Sequence, residues 1–89
     1  MKTIITVIGQ DKVGIIANVS RILADEKINI SDISQTILQE YFTMIMVTEL
    51  PLQGYSIGDL QTKLNALGEE MGLEIRVQHE AIFDAMHRI

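Results

Sequence analysis

The sequence has 89 residues, 47% of them apolar, and contains no cysteine. This length suits one domain with a modest core that needs no metal or disulfide support. The lack of cysteine excludes thiol catalysis and cysteine-ligated zinc, and it fits a reducing, cytoplasmic location. The formal net charge of −5 disfavours direct nucleic-acid binding, because a phosphate backbone would repel the chain. The apolar N-terminal run is too short for a signal peptide or a membrane span, so no membrane role is expected.

The first part of the chain predicts a strand followed by a helix. Residues 2–9 are rich in Ile, Val and Thr, the composition of a β-strand. A short polar loop follows, and Gly14 then opens an amphipathic helix that extends to Lys27. One side of this helix is expected to face the core, because apolar residues recur there at helical spacing: Ile15, Ile16, Val19, Ile22 and Leu23.

Residues 29–49 predict a β-hairpin. The first strand alternates, with Ser31, Ile33, Gln35 and Ile37 on one face and Ile30, Asp32, Ser34 and Thr36 on the other. Gln39 and Glu40 form a polar break before a second strand over residues 41–49. That second strand is apolar on both faces, so both faces of the sheet are expected to be covered.

The remaining residues predict a helix, a fourth strand and a tail. Ser56 can cap the helix and Gly72 can end it, after a connection that contains Gly54. The apolar side of this helix is Ile57, Leu60, Leu64, Leu67 and Met71, and its outward side is Gln61, Lys63, Asn65 and Glu70. Residues 73–80 alternate as a strand. The tail carries an apolar stripe that is expected to pack on the sheet or on a partner subunit: Ile82, Phe83, Met86 and Ile89.

The order of these elements predicts an α+β fold of the ferredoxin-like type. Two right-handed β-α-β crossovers in a βαββαβ order give a four-stranded antiparallel sheet with both helices on one face. The first and third strands occupy the middle of this sheet. We therefore expect a domain over residues 1–80 and an amphipathic tail over residues 81–89.

Two short segments carry the functional signal, namely residues 8–16 (IGQDKVGII) and residues 29–33 (NISDI). The free N–H groups at the start of a helix after Gly14 can receive an anion. Asp11 could pair with the ammonium group of an amino acid, while Asn29 and the helix N–H groups take its carboxylate. Each residue also has a purely structural interpretation: Gly14 as a helix entry, Asp11 as a helix cap and Asn29 as a turn residue.

These segments resemble ACT domains, the small ligand-binding regulatory modules attached to many enzymes of amino-acid metabolism. The resemblance covers nearly the whole chain and rests on residues 11–17 (DKVGIIA), 24–27 (ADEK) and 29–33 (NISDI). It is strongest to the stand-alone and tandem kind found in the glycine cleavage repressor. The resemblance implies that an amino acid binds between the first loop and the start of the second strand, often across a dimer interface. The ligand-binding residues that it implies are Asp11, Lys12, Val13, Gly14, Ile15, Asn29 and Ile30.

Other functional classes fit less well. Gly9 and Gly14 have P-loop-like spacing, but Ile15 and Ile16 stand where a P-loop requires Lys and Ser or Thr. His79, Glu80 and His87 make only a weak metal set, so neither a metal nor a cofactor is expected. We expect a non-enzymatic regulatory or sensor protein that binds an amino acid or similar small metabolite and forms a homodimer or higher oligomer. The alternative is a ligand-independent interaction module that regulates an enzyme or a transcription factor by contact.

Overall fold

The computed structural model describes residues 1–51 and 55–87, with side chains described as far as Phe83. Four strands form one antiparallel sheet in the order β2-β3-β1-β4: β1 (Lys2–Gln10), β2 (Asn29–Leu38), β3 (Tyr41–Glu49) and β4 (Leu73–His79). The helices are α1 (Ile15–Asp25), α2 (Ile57–Met71) and α3 (Glu80–His87). The predicted ferredoxin-like βαββαβ fold is confirmed, and most of the tail forms the third helix.

The core lies between one face of the sheet and helices α1 and α2. Strand alternation places Ile5 and Val7 of β1 on this face, where they pair with Met46 and Met44 of β3. All four side chains are fully buried. The helices add one buried stripe each: Ile15, Val19 and Leu23 from α1, and Leu60, Leu64 and Leu67 from α2. Burying each side chain of this size contributes about 1.5–3 kcal/mol, so these stripes fix both helices on the sheet.

The helix ends follow local chemistry. The Ser56 hydroxyl accepts a hydrogen bond from the Asp59 N–H at 3.3 Å, and Gly72, with φ of 70°, ends α2. Gly14, with φ of 94°, precedes the first residue of α1 as its N-cap, and no side chain within the described ranges caps the helix N–H groups. The interpretation of Asp11 as a helix cap is therefore wrong, because Gly14 occupies the capping position.

The sheet face opposite α1 and α2 is covered only in part. Helix α3 lies against β1 and β4, where Ile4 is 5% exposed and Phe83 is half-buried. Ile8 on the same face remains exposed, and Ile82 is 56% exposed. The rest of the predicted stripe, Met86 and Ile89, lies outside the described side chains, as Gly54 of the connection lies outside the described residues. The described part of the chain thus leaves the apolar side chains of Ile8 and Ile82 exposed on this face.

Strand β2 departs from simple alternation near its start. Its pairing with β3 shifts between Ile30 and Asp32, which places Ser31 in a bulge. Ile30 then pairs with Thr48 and Ile33 with Met46, so both lie on the face that α1 and α2 cover. The predicted assignment of Ile30 and Ile33 to opposite faces is wrong, because a bulge adds one residue that a period of two cannot show.

Glu26 connects the end of α1 to α2. Its carboxylate pairs with the Lys63 ammonium at 2.6 Å and accepts a hydrogen bond from the Tyr55 hydroxyl at 2.8 Å. The hydrogen bonds from Lys63 and Tyr55 hold the pKa of Glu26 below its ordinary value. Burial, followed by the bond to Glu26, raises the pKa of the Tyr55 hydroxyl above its ordinary range. The folded state therefore stabilises the ionised form of Glu26.

Acid is expected to remove the contribution of the ionised Glu26 carboxylate to the stability of the fold. Because the folded pKa of Glu26 lies below the unfolded value of about 4.3, the contribution is complete above that pH and is lost as the pH falls through the folded pKa. The difference in Tm between the native protein and Glu26→Gln should shrink as the pH is lowered from about 6 to about 3. Asp25→Asn, which removes a neighbouring exposed carboxylate, is the matched control. A Tm difference that stays constant over this range would contradict the assignment.

Candidate functional site

The loop after β1 is fixed by backbone contacts on both sides. The Asp11 N–H donates to the Glu40 carbonyl at 2.7 Å and so holds the loop against the β2–β3 turn. The Gly14 carbonyl accepts from the Asn18 N–H at 2.9 Å and from Asn18 Nδ2 at 2.8 Å. These bonds set the position of the loop relative to the first turn of α1.

A cavity of about 240 Å³ lies beside this loop. It is lined by Asp11, Lys12, Gly14, Ile15, Ile16, Ala17, Gln35, Ile37 and Phe42. The lining combines a carboxylate, an ammonium group and a carboxamide with apolar side chains. Sites for drug-sized ligands usually begin at about 300 Å³, so this volume suits a ligand of amino-acid size.

Three features of the cavity suit a small zwitterion. The first turn of α1 presents backbone N–H groups that have no intrahelical partner, at the positive end of the helix dipole. The exposed Asp11 carboxylate is a partner for an ammonium group. Ile16 and Ile37 add exposed apolar surface, with Ile37 50% exposed. The arrangement can thus bind both charged groups of an amino acid and contact its side chain.

Lys12 also lies close to the end of α2. Its Nζ is 3.5 Å from the position that a Cβ would occupy at Gly72. A cation is favourable there, because the last carbonyl groups of a helix carry the negative end of its dipole. Asn18 makes a second link to this helix, with its Nδ2 3.7 Å from the Met71 sulfur. Lys12 and Asn18 therefore lie close to the carboxyl end of α2.

The structure brings together only part of the predicted site. Asp11, Lys12, Gly14 and Ile15 line the cavity, but the Ile15 side chain is buried in the core, so this residue offers its backbone. Val13 is 99% exposed and is not among the lining residues. The segment from Asp11 to Ile15 thus contributes mainly charged side chains and backbone groups.

Asn29 and Ile30 lie at the opposite end of the sheet. Asn29 pairs with Glu49, which pairs with Lys2 at the start of β1, whereas the loop follows Gln10 at the end of β1. The nine residues of β1 span about 30 Å at 3.3 Å per residue. Asn29 and the loop of the same chain therefore cannot hold one small ligand together. Since β2 and β1 both run antiparallel to β3, they point the same way and their starts lie together.

Strand β2 instead contributes its other end to the cavity. Gln35 and Ile37 line it together with Phe42 of β3, and sequence reasoning missed all three. The sequence does contain features that could have identified Gln35 and Ile37. The predicted alternation places both on one face of the strand, and the predicted turn follows them directly. Combining these two features with the strand order locates this end of β2 beside the loop.

Other depressions lie outside this site, among them two that border the sheet. A broad groove of about 770 Å³ follows β4 and α2, and a cleft of about 370 Å³ lies between Phe83 and the sheet. Within the described part of the chain, no group of three His, Cys, Asp or Glu side chains could hold a metal ion. None of the helices in these ranges is long and apolar enough to cross a membrane.

Comparisons with known proteins support the fold. A family model described as ACT domain matches residues 2–78. A UPF0237 protein from Clostridium acetobutylicum is 58% identical over 89 residues, and the match covers 100% of both chains. An ACT domain protein from Streptococcus pneumoniae is 45% identical with a TM-score of 0.82, and 98% of each chain is covered.

More distant structures contain the same fold as one part of a longer chain. A candidate glycine cleavage system transcriptional repressor is 26% identical with a TM-score of 0.75, over 86% of this chain and 44% of that chain. A formyltetrahydrofolate deformylase from Pseudomonas putida is 14% identical with a TM-score of 0.81, over 89% of this chain and 29% of that chain. The second likeness is one of fold alone.

Proposed function

Because the chain belongs to the ACT domain family, we propose that it is a non-enzymatic regulatory or sensor protein that binds an amino acid or similar small metabolite. The observation that carries this proposal is the cavity in which the uncapped N-terminus of α1 and the Asp11 carboxylate lie together. The helix N–H groups receive the ligand carboxylate and Asp11 receives its ammonium group. Ile16 and Ile37 contact its side chain, and the small volume favours a small amino acid.

We also propose that a second copy, paired through β2, completes the site. Every residue from Ser31 to Leu38 is exposed, and an exposed edge strand offers unpaired backbone N–H and carbonyl groups as a template for another strand. In an antiparallel β2–β2 pair with a two-fold axis near Ile33, the start of one β2 lies beside the end of the other. The partner's Asn29 then lies next to Ile37, at the cavity. Such a dimer accounts for the separation of Asn29 from the loop within one chain.

Ligand binding is tested by a thermal-shift screen against the common amino acids, since a ligand that binds only the folded state raises the Tm. Asp11→Ala and Asn29→Ala are each expected to weaken binding of a hit by about 5- to 150-fold, the equivalent of about 1–3 kcal/mol for a charged hydrogen bond. Both residues are exposed, so folding should be unchanged. Asp25→Ala, on the exposed side of α1, is the control and should bind normally.

The outcomes separate the two candidate functions. Unchanged affinity in both variants would place the ligand elsewhere on the protein. If no amino acid raises the Tm of the parent protein, the ligand-independent interaction module is favoured instead.

The dimer has a test of its own, because a chain without cysteine can carry a single reporter thiol. Ile33→Cys, at the proposed two-fold axis and 41% exposed, should give a covalent dimer with a short thiol crosslinker, since directly opposed residues of paired strands lie about 4.5–5.5 Å apart. Thr62→Cys, exposed on α2, should not. A single sedimenting species near the 10.0 kDa chain mass at micromolar concentration would contradict pairing through β2.

A further inference from the structure

Strand β4 forms the second edge of the sheet, and one side chain of α2 covers its backbone. Gln61 Nε2 donates to the Ile75 carbonyl at 2.8 Å, and the Val77 N–H donates to Gln61 Oε1 at 2.8 Å. The carboxamide thus takes the places that an N–H and a carbonyl of a neighbouring strand would fill. We propose that Gln61 closes the β4 edge against strand addition and limits assembly through sheet edges to β2.

Helix α2 holds the Gln61 carboxamide in position. Gln61 Nε2 also contacts Asn65 Oδ1 at 2.8 Å, one helical turn further on. Gly68 lets α2 approach the start of β4 closely, because a Cβ at this position would lie only 2.6 Å from the Leu73 carbonyl oxygen. This close approach places the half-buried Gln61 side chain beside the strand edge.

The β2 edge differs from the β4 edge. At its start, the Ile33 N–H donates to Asp32 Oδ1 at 2.9 Å. From Ser34 to Leu38, no side chain in the described ranges makes a hydrogen bond comparable to those of Gln61. This stretch also exposes Ile37 and Leu38. The chain therefore presents one closed edge and one open edge.

This asymmetry has a direct consequence for assembly. A dimer paired through β2 has β4 at both of its outer edges. If those edges were open, further copies could add strand by strand and the sheet would grow without limit. With the edges closed, growth stops at a two-chain sheet. The inference concerns assembly and holds whether or not an amino acid binds in the cavity.

Gln61→Leu is the main test, because it keeps the size and helix propensity of the side chain while removing both hydrogen bonds to β4. We expect species larger than the native assembly in sedimentation velocity, with a weight-average mass at least about twofold higher at high concentration. Arg76→Cys, at an exposed position of β4, should crosslink two copies when it is combined with Gln61→Leu but not when it is introduced into the parent protein. Should the Leu variant not fold, Gln61→Ala carries the same expectation.

Two further variants separate closure of the edge from general stability. Gln61→Glu also loses the donor to Ile75, but its charge at the edge still opposes an incoming strand, so it should lose stability without forming larger species. Thr62→Ala, exposed on the same helix, removes the hydrogen bond to the Gly58 carbonyl and should leave assembly unchanged. The proposal is overturned if folded Gln61→Leu sediments like the parent protein and does not crosslink through Arg76→Cys. It is also overturned if Gln61→Leu and Gln61→Glu form larger assemblies to the same extent.

Discussion

Gly68→Ala is expected to lower the free energy of unfolding by about 3 kcal/mol, the upper end of the cost of overpacking a core. Gly68 is buried in α2, and a Cβ there would lie 2.6 Å from the Leu73 carbonyl oxygen. A backbone atom of a paired strand cannot move aside as the end of a flexible side chain can. The sign of this change in the free energy of unfolding tests the close contact, since Ala in place of Gly inside a helix otherwise stabilises the helix by about 1 kcal/mol.

Urea unfolding of Gly68→Ala and Gly58→Ala measures this difference within one helix. Gly58 is exposed in the first turn of α2, and among the described residues a Cβ there would meet only the Ser56 hydroxyl oxygen at 3.4 Å. Gly58→Ala should therefore be neutral or stabilising by up to about 1 kcal/mol. Equal stabilisation by both substitutions would show that α2 does not depend on close contact with β4 at Gly68.

The sequence predicts the fold well because its signals are local. The period of α2, its cap at Ser56 and its end at Gly72 each depend on a few neighbouring residues, and all three are confirmed. The bulge at Ser31 could not be predicted in this way, because an extra residue in one strand is defined only by its pairing with the next.

The loop side of the candidate site was predicted from the sequence, but the side formed by β2 was not. The loop with Asp11 and Gly14 follows from the strand-to-helix transition, whereas the contribution of β2 depends on which end of that strand lies beside the loop. Choosing Gln35 over Asn29 requires the order and direction of the strands, which local patterns do not contain. Gln61 shows the same limit, because the helical period identifies it as polar and outward but not as the residue that meets β4.

Gly14→Val is expected to lower the free energy of unfolding by about 1–3 kcal/mol, the usual cost of a non-glycine residue held in a left-handed backbone conformation. Gly14 has φ of 94°, which a β-branched residue tolerates poorly. The strain falls where α1 begins, so it also displaces the N–H groups proposed to receive the ligand carboxylate. Chemical unfolding and titration with a ligand identified by the screen measure the two effects separately.

Gly14→Asn is the matched variant that separates backbone strain from obstruction of the cavity. Asn visits positive φ more readily than other non-glycine residues, so this variant should retain more stability than Gly14→Val. Its side chain nevertheless starts beside the cavity, where a Cβ would lie 3.2 Å from Asn18 Nδ2, so ligand affinity should still fall. Equal destabilisation by Val and Asn would show that the left-handed backbone is not the source of the cost. Full ligand affinity in a folded Gly14→Asn variant would place the ligand away from the first turn of α1.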